Sequence, residues 1–267
     1  MKFLILGDVM GKSGRESIKK NLQPVIKNNE IEFTIINGEN SADDGKGITQ
    51  DIAREYFDNG VDVITSGNHI WDKEEAVRFI SDEKRLLRPA NLPEGSPGNG
   101  YGIYQTKKNL KVAVINLMGN VFMRKTQNVF KKAKELENKI ALKKNVDFII
   151  VDFHGETTSE KMAMGHYYDG KATCVVGTHT HVPTADTRIL NRGTGYQTDI
   201  GMCGDYNSVI GMNKENSLKK FFSEKDSKNH FPAEGTVSLS GVIVEADSDT
   251  GLAKNIKRFI FGGSLVN

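Results

Sequence analysis

The stretch Ala172-Thr173-Cys174-Val175-Val176-Gly177-Thr178-His179-Thr180-His181 drives an apolar strand into two histidines separated by one residue. Side chains alternate along an extended backbone, so His179 and His181 are expected to face the same way at the strand end, with Gly177 leaving room for a turn. Neutral imidazole is the commonest protein metal ligand, but two imidazoles do not make a site, and a polar loop after a strand reads the same way. What the rest of the chain brings to this point decides its meaning.

Four earlier strands end in the same manner. Lys2 to Gly7 runs into Asp8-Val9-Met10-Gly11, Phe33 to Asn37 into Gly38-Glu39-Asn40, Val61 to Ser66 into Gly67-Asn68-His69, and Val146 to Phe153 into His154-Gly155-Glu156. Helical patterns separate them: Ser13 to about Asn28 with Ser13 as cap, Thr49 to Asn59 closed by Gly60, Asp72 to Ile80, Thr126 to Lys144, and Ser159 to Tyr168. Helical crossovers build a parallel sheet whose strand C-termini share one edge, so groups distant in sequence converge there.

Two hairpins add antiparallel strands and a second sheet: Tyr101 to Thr106 with Leu110 to Leu117, and Thr236 to Ala246 with Leu252 to Phe261. Arg88 to Gly100 reads as a surface loop, Asp199 to Gly211 as a glycine-rich stretch, and Ser217 to Phe222 as a last helix. No repeat or linker divides the 267 residues, so one α/β domain spanning 1–267 is expected.

Composition narrows the function. Lys+Arg at 36 against Asp+Glu at 34 leaves a net charge of +2, which excludes a broadly basic surface for nucleic acid or anionic membrane; an anionic substrate must be attracted locally. No apolar stretch approaches the ~20 residues of a membrane span, and Met1 to Asp8 is too short an apolar run for a signal peptide. A cytoplasmic protein without a membrane partner is expected. Cys174 and Cys203 are too few for a disulfide framework or a thiolate metal site, and Cys174 reads as core.

The strand ends carry Asp8, Glu39, Asn40, Asn68, His69, His154, His179 and His181. Oxygen and nitrogen donors without thiolate suit Fe, Mn or Zn. That is too many donors for one first-row ion; divided between two, with a carboxylate bridging, they leave positions for water and substrate. Two carboxylates offset only part of the charge of two cations, so the pocket should draw an anion such as phosphate. His166 and His230 read as packing or surface histidines, and Asp43 and Asp44 as solvated loop residues.

In this order, Gly7-Asp8-Val9-Met10-Gly11, Gly38-Glu39-Asn40, Gly67-Asn68-His69, a lone His154 after a strand, and Gly177-Thr178-His179-Thr180-His181 resemble the motifs of the calcineurin-like metallophosphoesterases. More narrowly, the chain resembles the bacterial YmdB-type branch, whose members are dinuclear 2′,3′-cyclic-nucleotide phosphodiesterases. The likeness covers nearly the whole chain and includes Thr158 to Gly165 and Gly177 to Asp186. It implies a sandwich of two mixed β-sheets flanked by helices, with the site at the strand C-terminal ends. Carried over by position, Asp8, Glu39, Asn40 and His181 would hold one metal. Glu39 as bridge, Asn68, His154 and His179 would hold the other, and His69 would stay off the metals. Met10 stands where many members of the superfamily have a ligand histidine, and Glu39 where most have a bridging aspartate; both departures are shared by the YmdB-like branch.

The resemblance further implies two divalent or trivalent ions, iron first and manganese second. The implied reaction is hydrolysis of a cyclic phosphodiester to a nucleoside monophosphate. A metal-activated hydroxide would attack while His69 protonates the leaving oxygen, a contribution typically worth about 10²–10⁴-fold. A cyclic-nucleotide substrate and a homo-oligomer are expected. The alternatives are a phosphomonoesterase or protein phosphatase on the same scaffold, or a metal-stabilised regulatory protein acting through RNA or nuclease partners.

Overall fold

Phe3 and Ile5 face one apolar cluster while Leu4 and Leu6 face another, the period of two imposed on a strand buried on both sides. The computed structural model describes residues 1–225 and 229–265. Its first half runs β1 (Lys2–Val9), α1 (Gly11–Asn29), β2 (Phe33–Asn37), α2 (Gln50–Asp58), β3 (Val63–Thr65), α3 (Glu74–Phe79), β4 (Tyr101–Gln105), β5 (Lys111–Met118) and α4 (Val129–Glu137). The second half runs β6 (Phe148–His154), α5 (Thr158–Tyr168), β7 (Cys174–Thr178), β8 (Arg188–Ile189), β9 (Gly195–Gln197), β10 (Met202–Asp205), α6 (Lys214–Phe221), β11 (Val237–Ala246) and β12 (Ala253–Phe261).

One sheet has the order β12-β11-β10-β1-β2-β3 and the other β4-β5-β6-β7-β9-β8. Each mixes a parallel centre with antiparallel edges: β1, β2 and β3 are parallel, as are β5, β6, β7 and β9, while β4, β8, β11 and β12 run antiparallel to their neighbours. The sheets pack face to face through Phe3, Ile5, Phe33 and Ile35 against Val112, Val114, Phe148, Ile150 and Val176. Outside them, α1, α2 and α3 cover the first sheet with Ile18, Leu22, Tyr56 and Phe79. On the far side, α4 and α5 cover the second with Val129, Ala133, Met164 and Tyr168. Cys174 is fully buried, as its place in an apolar strand predicts.

The structure departs from the sequence reading at three helix boundaries and at one strand beside the site. Met10, not Ser13, stands at the N-cap of α1 and offers no side-chain bond; the Ser13 hydroxyl instead donates to Ala233 O at 3.1 Å. Helix α4 is shorter than Thr126 to Lys144. Asn128 caps it by accepting from Lys131 N at 2.9 Å, whereas the Thr126 hydroxyl and Gln127 O accept from Asn91 Nδ2. Helix α6 starts three residues earlier than Ser217, capped by Asn213. The glycine-rich stretch after Asp199 contributes β10, which pairs parallel to the last residues of β1 with Asp8 opposite Met202, while β11 pairs with the earlier residues. That insertion walls in Asp8 where the site forms.

Candidate active site

Asp8 lies at the end of β1, Glu39 and Asn40 just past β2, Asn68 and His69 past β3, His154 at the end of β6, and His179 and His181 past β7. All eight therefore sit at strand C-termini, where the two sheets meet. Glu39 Oε1 is 2.9 Å from His154 Nε2, and Asn68 Oδ1 and His179 Nδ1 each stand 3.1 Å from the same nitrogen. Donor atoms of Glu39, His154 and His179 all fall within 4.8 Å of one another, a spacing that can hold one cation. Asp8 Oδ1 lies 4.0 Å from His181 Nε2 and 3.8 Å from His154 Nδ1. A cavity of about 120 Å³ opens over the group, lined by Glu39, Asn40, Lys46, His69, His179 and His181, with Met10, Ile210 and Met212 as its apolar wall.

The two histidines of the central motif do not converge by strand alternation. His179 has φ 98° and His181 φ 66°, so both occupy left-handed backbone that non-glycine residues rarely enter. Hydrogen bonds hold the turn: His179 N donates to Asp8 Oδ2 at 3.1 Å, and Thr180 donates its amide and hydroxyl to Asp199 Oδ2 at 3.1 and 2.8 Å. Asp199 is paired at 2.6 Å with Lys161, both buried. His154 reaches the centre because residue 67 is glycine; a Cβ there would collide with its imidazole.

Charge is concentrated on buried groups. Burial opposes ionisation of Glu39, yet His154 in front of it and the His69 amide, which donates to Oε2 at 2.9 Å, hold its carboxyl down to about 2. Burial likewise opposes protonation of His154, and Glu39 with Asp8 overrides it, raising the imidazole to about 9. Burial lifts Asp8 to about 6 against the pull of His181 and His154. Burial and the charge of His154 push His179 down to about 3.

Two buried oxygens in this cluster, Asp8 Oδ1 and Asn40 Oδ1, have no hydrogen-bond partner among the described residues, although Asn40 Nδ2 donates to Gly45 O at 2.9 Å. Buried acceptors are almost always satisfied, and a pair of orphans beside three imidazoles and a carboxylate is what cation ligands look like without their cation. The donor set therefore fits metal. His69 stands apart: its Nδ1 is 2.7 Å from Asp72 Oδ2, and Arg124 donates to the other Asp72 oxygen at 3.3 Å.

His166 and His230 are exposed, and Asp43 and Asp44 pair with Arg15 and Lys73 at 2.6 and 2.7 Å. The sequence reading passed over Asp72, Asp152 and Glu156. Asp152 is two residues before His154 and so shares its face of the strand, a signal period-two reading can use. Glu156 Oε2 lies 3.1 Å from His179 Nε2. Asp72 carries no comparable pattern.

Among curated proteins, the chain is 45% identical over 265 residues to the 2′,3′-cyclic-nucleotide 2′-phosphodiesterase of Bacillus subtilis strain 168, covering 97% of each chain. The crystal structure of a phosphatase from Mycoplasma pneumoniae superposes with a TM-score of 0.90 at 38% identity, covering 98% of this chain and 93% of that one. A crystal structure of a hypothetical protein from Thermus thermophilus gives 0.90 at 33%, covering 99% and 100%. The architecture is that of the calcineurin-like metallophosphoesterases, two mixed sheets flanked by helices. Because the model of the YmdB-like proteins matches residues 4–259 and these relatives align along nearly their whole length, the chain belongs to the YmdB-like family.

Proposed function

We propose that this chain, acting as one domain over residues 1–267, hydrolyses 2′,3′-cyclic nucleotides. Water adds to phosphorus, the bond to the 2′ oxygen breaks, and that oxygen takes a proton to leave a nucleoside 3′-monophosphate. The observation that carries the reading is the gathering of Asp8, Glu39, Asn40, Asn68, His154, His179 and His181 around two orphaned oxygens, with open space beside His69. The name of the Bacillus subtilis relative supports the substrate and the bond.

Asp8, Asn40 and His181 would hold one ion and Asn68, His154 and His179 the other, with Glu39 between them; iron is favoured, then manganese. Bound there, the ions would supply Lewis acidity to water and to the phosphoryl oxygens. His69 supplies the proton. Its Nδ1 is engaged by Asp72, so the ring is fixed with Nε2 free to donate to the leaving oxygen, and the Asp72 carboxylate sits against the imidazolium that carries that proton. Among the described residues no helix is long and apolar enough to cross a membrane. A cytoplasmic enzyme, a homo-oligomer and an RNA-related partner belong to the same reading.

The test is a substrate panel on protein loaded with iron or manganese: a 2′,3′-cyclic nucleotide, a 3′,5′-cyclic nucleotide, a linear diester and a monoester. Preferred turnover of the first, with a 3′-monophosphate as product, is expected. Preferred turnover of the monoester would establish a phosphatase instead, and no turnover of any substrate would favour a regulatory role.

A further inference from the structure

Ile210 occupies a place that folding does not ask an isoleucine to fill. Val209 and Met212 exchange both backbone hydrogen bonds at 2.9 Å, so Ile210 and Gly211 are the central pair of a two-residue turn. Both have positive φ, 49° and 90°, the pattern of a hairpin turn whose first central residue is ordinarily Asn, Asp or Gly. A β-branched side chain in that region is strained. Nor does burial offset the strain, since Ile210 is 55% exposed. What its position provides is contact with the site: its carbonyl oxygen is 2.8 Å from His181 Nδ1, and the residue lines the cavity together with Glu39, Asn40 and His69.

Strain of this kind persists where function uses it, and here it holds an apolar surface open beside polar groups. The cavity's remaining apolar wall is Met10 and Met212. On the His69 side the surroundings are ionic, with Asp72 and Arg124. A cyclic nucleotide has the same polarity: a phosphate and ribose edge that needs polar partners, and a flat base that needs apolar surface.

We propose that Ile210 is a specificity-determining residue whose side chain packs against the nucleobase of the cyclic-nucleotide substrate. The inference rests on the function proposed above.

Two variants suit the positive φ and separate shape from strain: Ile210→Gly removes the side chain, and Ile210→Asn replaces it with a polar one of the kind the turn favours. Each is assayed on a 2′,3′-cyclic nucleotide and on a ribose 2′,3′-cyclic phosphate that lacks the base, alongside metal content and melting temperature. Binding of a nucleoside 3′-monophosphate and of ribose 3-phosphate is measured by calorimetry on the same preparations. In both variants kcat/KM for the nucleotide should fall about 10-fold, the effect of one lost apolar contact, and the base-free substrate should keep its rate. The nucleoside monophosphate should bind about 10-fold more weakly, with ribose 3-phosphate unchanged. Equal losses on both substrates, or no loss on the nucleotide, would overturn the inference, as would loss of metal, which would assign Ile210 to holding His181. A wild type that turns over neither cyclic substrate would defeat the proposed function while leaving the calorimetry to judge Ile210: a base-dependent loss of binding upholds it, and equal binding overturns it.

Discussion

His154 Nδ1 and the Thr178 hydroxyl stand 3.0 Å apart, and that hydroxyl gives its one proton to Asp152 Oδ1, 2.7 Å away. Asp152 is an acceptor on both oxygens, since Thr65 Oγ1 and Asn37 Nδ2 donate to Oδ2 at 2.5 and 3.1 Å. The threonine oxygen can therefore only accept from His154, which puts a proton on Nδ1 and directs Nε2 at Glu39, Asn68 and His179.

Thr178→Val keeps the shape and removes this constraint. Metal affinity, read by competition with a chelator, should weaken by about 10–100-fold, the usual effect of losing a group that orients a ligand histidine. Leaving Asp152 Oδ1 without its donor should also cost about 1–3 kcal/mol of stability. Unchanged affinity would mean that His154 does not need the tautomer fixed.

In the arrangement proposed above Glu39 bridges the two ions whereas Asn40 serves one, so Glu39→Gln should cost more than Asn40→Ala. Removing the carboxylate takes charge from both ions, and the expected result is protein with less than one equivalent of metal by elemental analysis, against two for the wild type. Asn40→Ala should keep most of its metal. Equal losses would refute the bridging assignment of Glu39.

The pair of Glu39 and His154 gives the chelated protein a pH signature. His154 is raised from 6.5 to about 9, so its contribution to stability is complete below 6.5 and is lost as pH rises through about 9. Glu39 is lowered from 4.5 to about 2 and contributes above 4.5, with loss only as pH falls through about 2. From neutral pH to about 9, His154 dominates, and the melting temperature of the chelated protein should decline across that window. A flat profile would mean that the imidazole is already neutral.

The five strand ends were legible because four couple an apolar run to glycine and then to a polar group while the fifth runs directly into His154, and the burial of β1 from Phe3 onward and of every residue in β2 and β6 follows the same signal. Strand β10 was not legible, for its four residues lack any periodic pattern and are placed by pairing with Asp8 and Val9. The helix at Thr126 was overextended because Thr126 and Gln127 serve Asn91 and Asn120 and not the helix. Left-handed backbone at His179 and His181 has no sequence signature outside glycine and asparagine; here Asp8 on β1 and Asp199 in the connection between β9 and β10 hold the turn.

His69 is the group asked to act without binding metal. Its amide is tied to Glu39 and its Nδ1 to Asp72, so the ring is held beside the cluster while its other nitrogen stays available, and its side chain is 23% exposed at the cavity. A proton donor matters in proportion to the basicity of the leaving group. A ribose alkoxide needs that proton, whereas an activated phenolate departs with little help. His69→Ala should therefore keep two equivalents of metal and lose at least about 10²-fold in kcat on a 2′,3′-cyclic nucleotide, with a much smaller loss on an aryl phosphodiester. Asp72→Asn should follow the same pattern with a smaller loss, because it disturbs the ring's orientation and charge but leaves the imidazole in place. Both substrates and a metal count are needed on each preparation. An equal loss on the two leaving groups would identify His69 as a clamp on the phosphate, and a variant stripped of metal would identify it as a ligand.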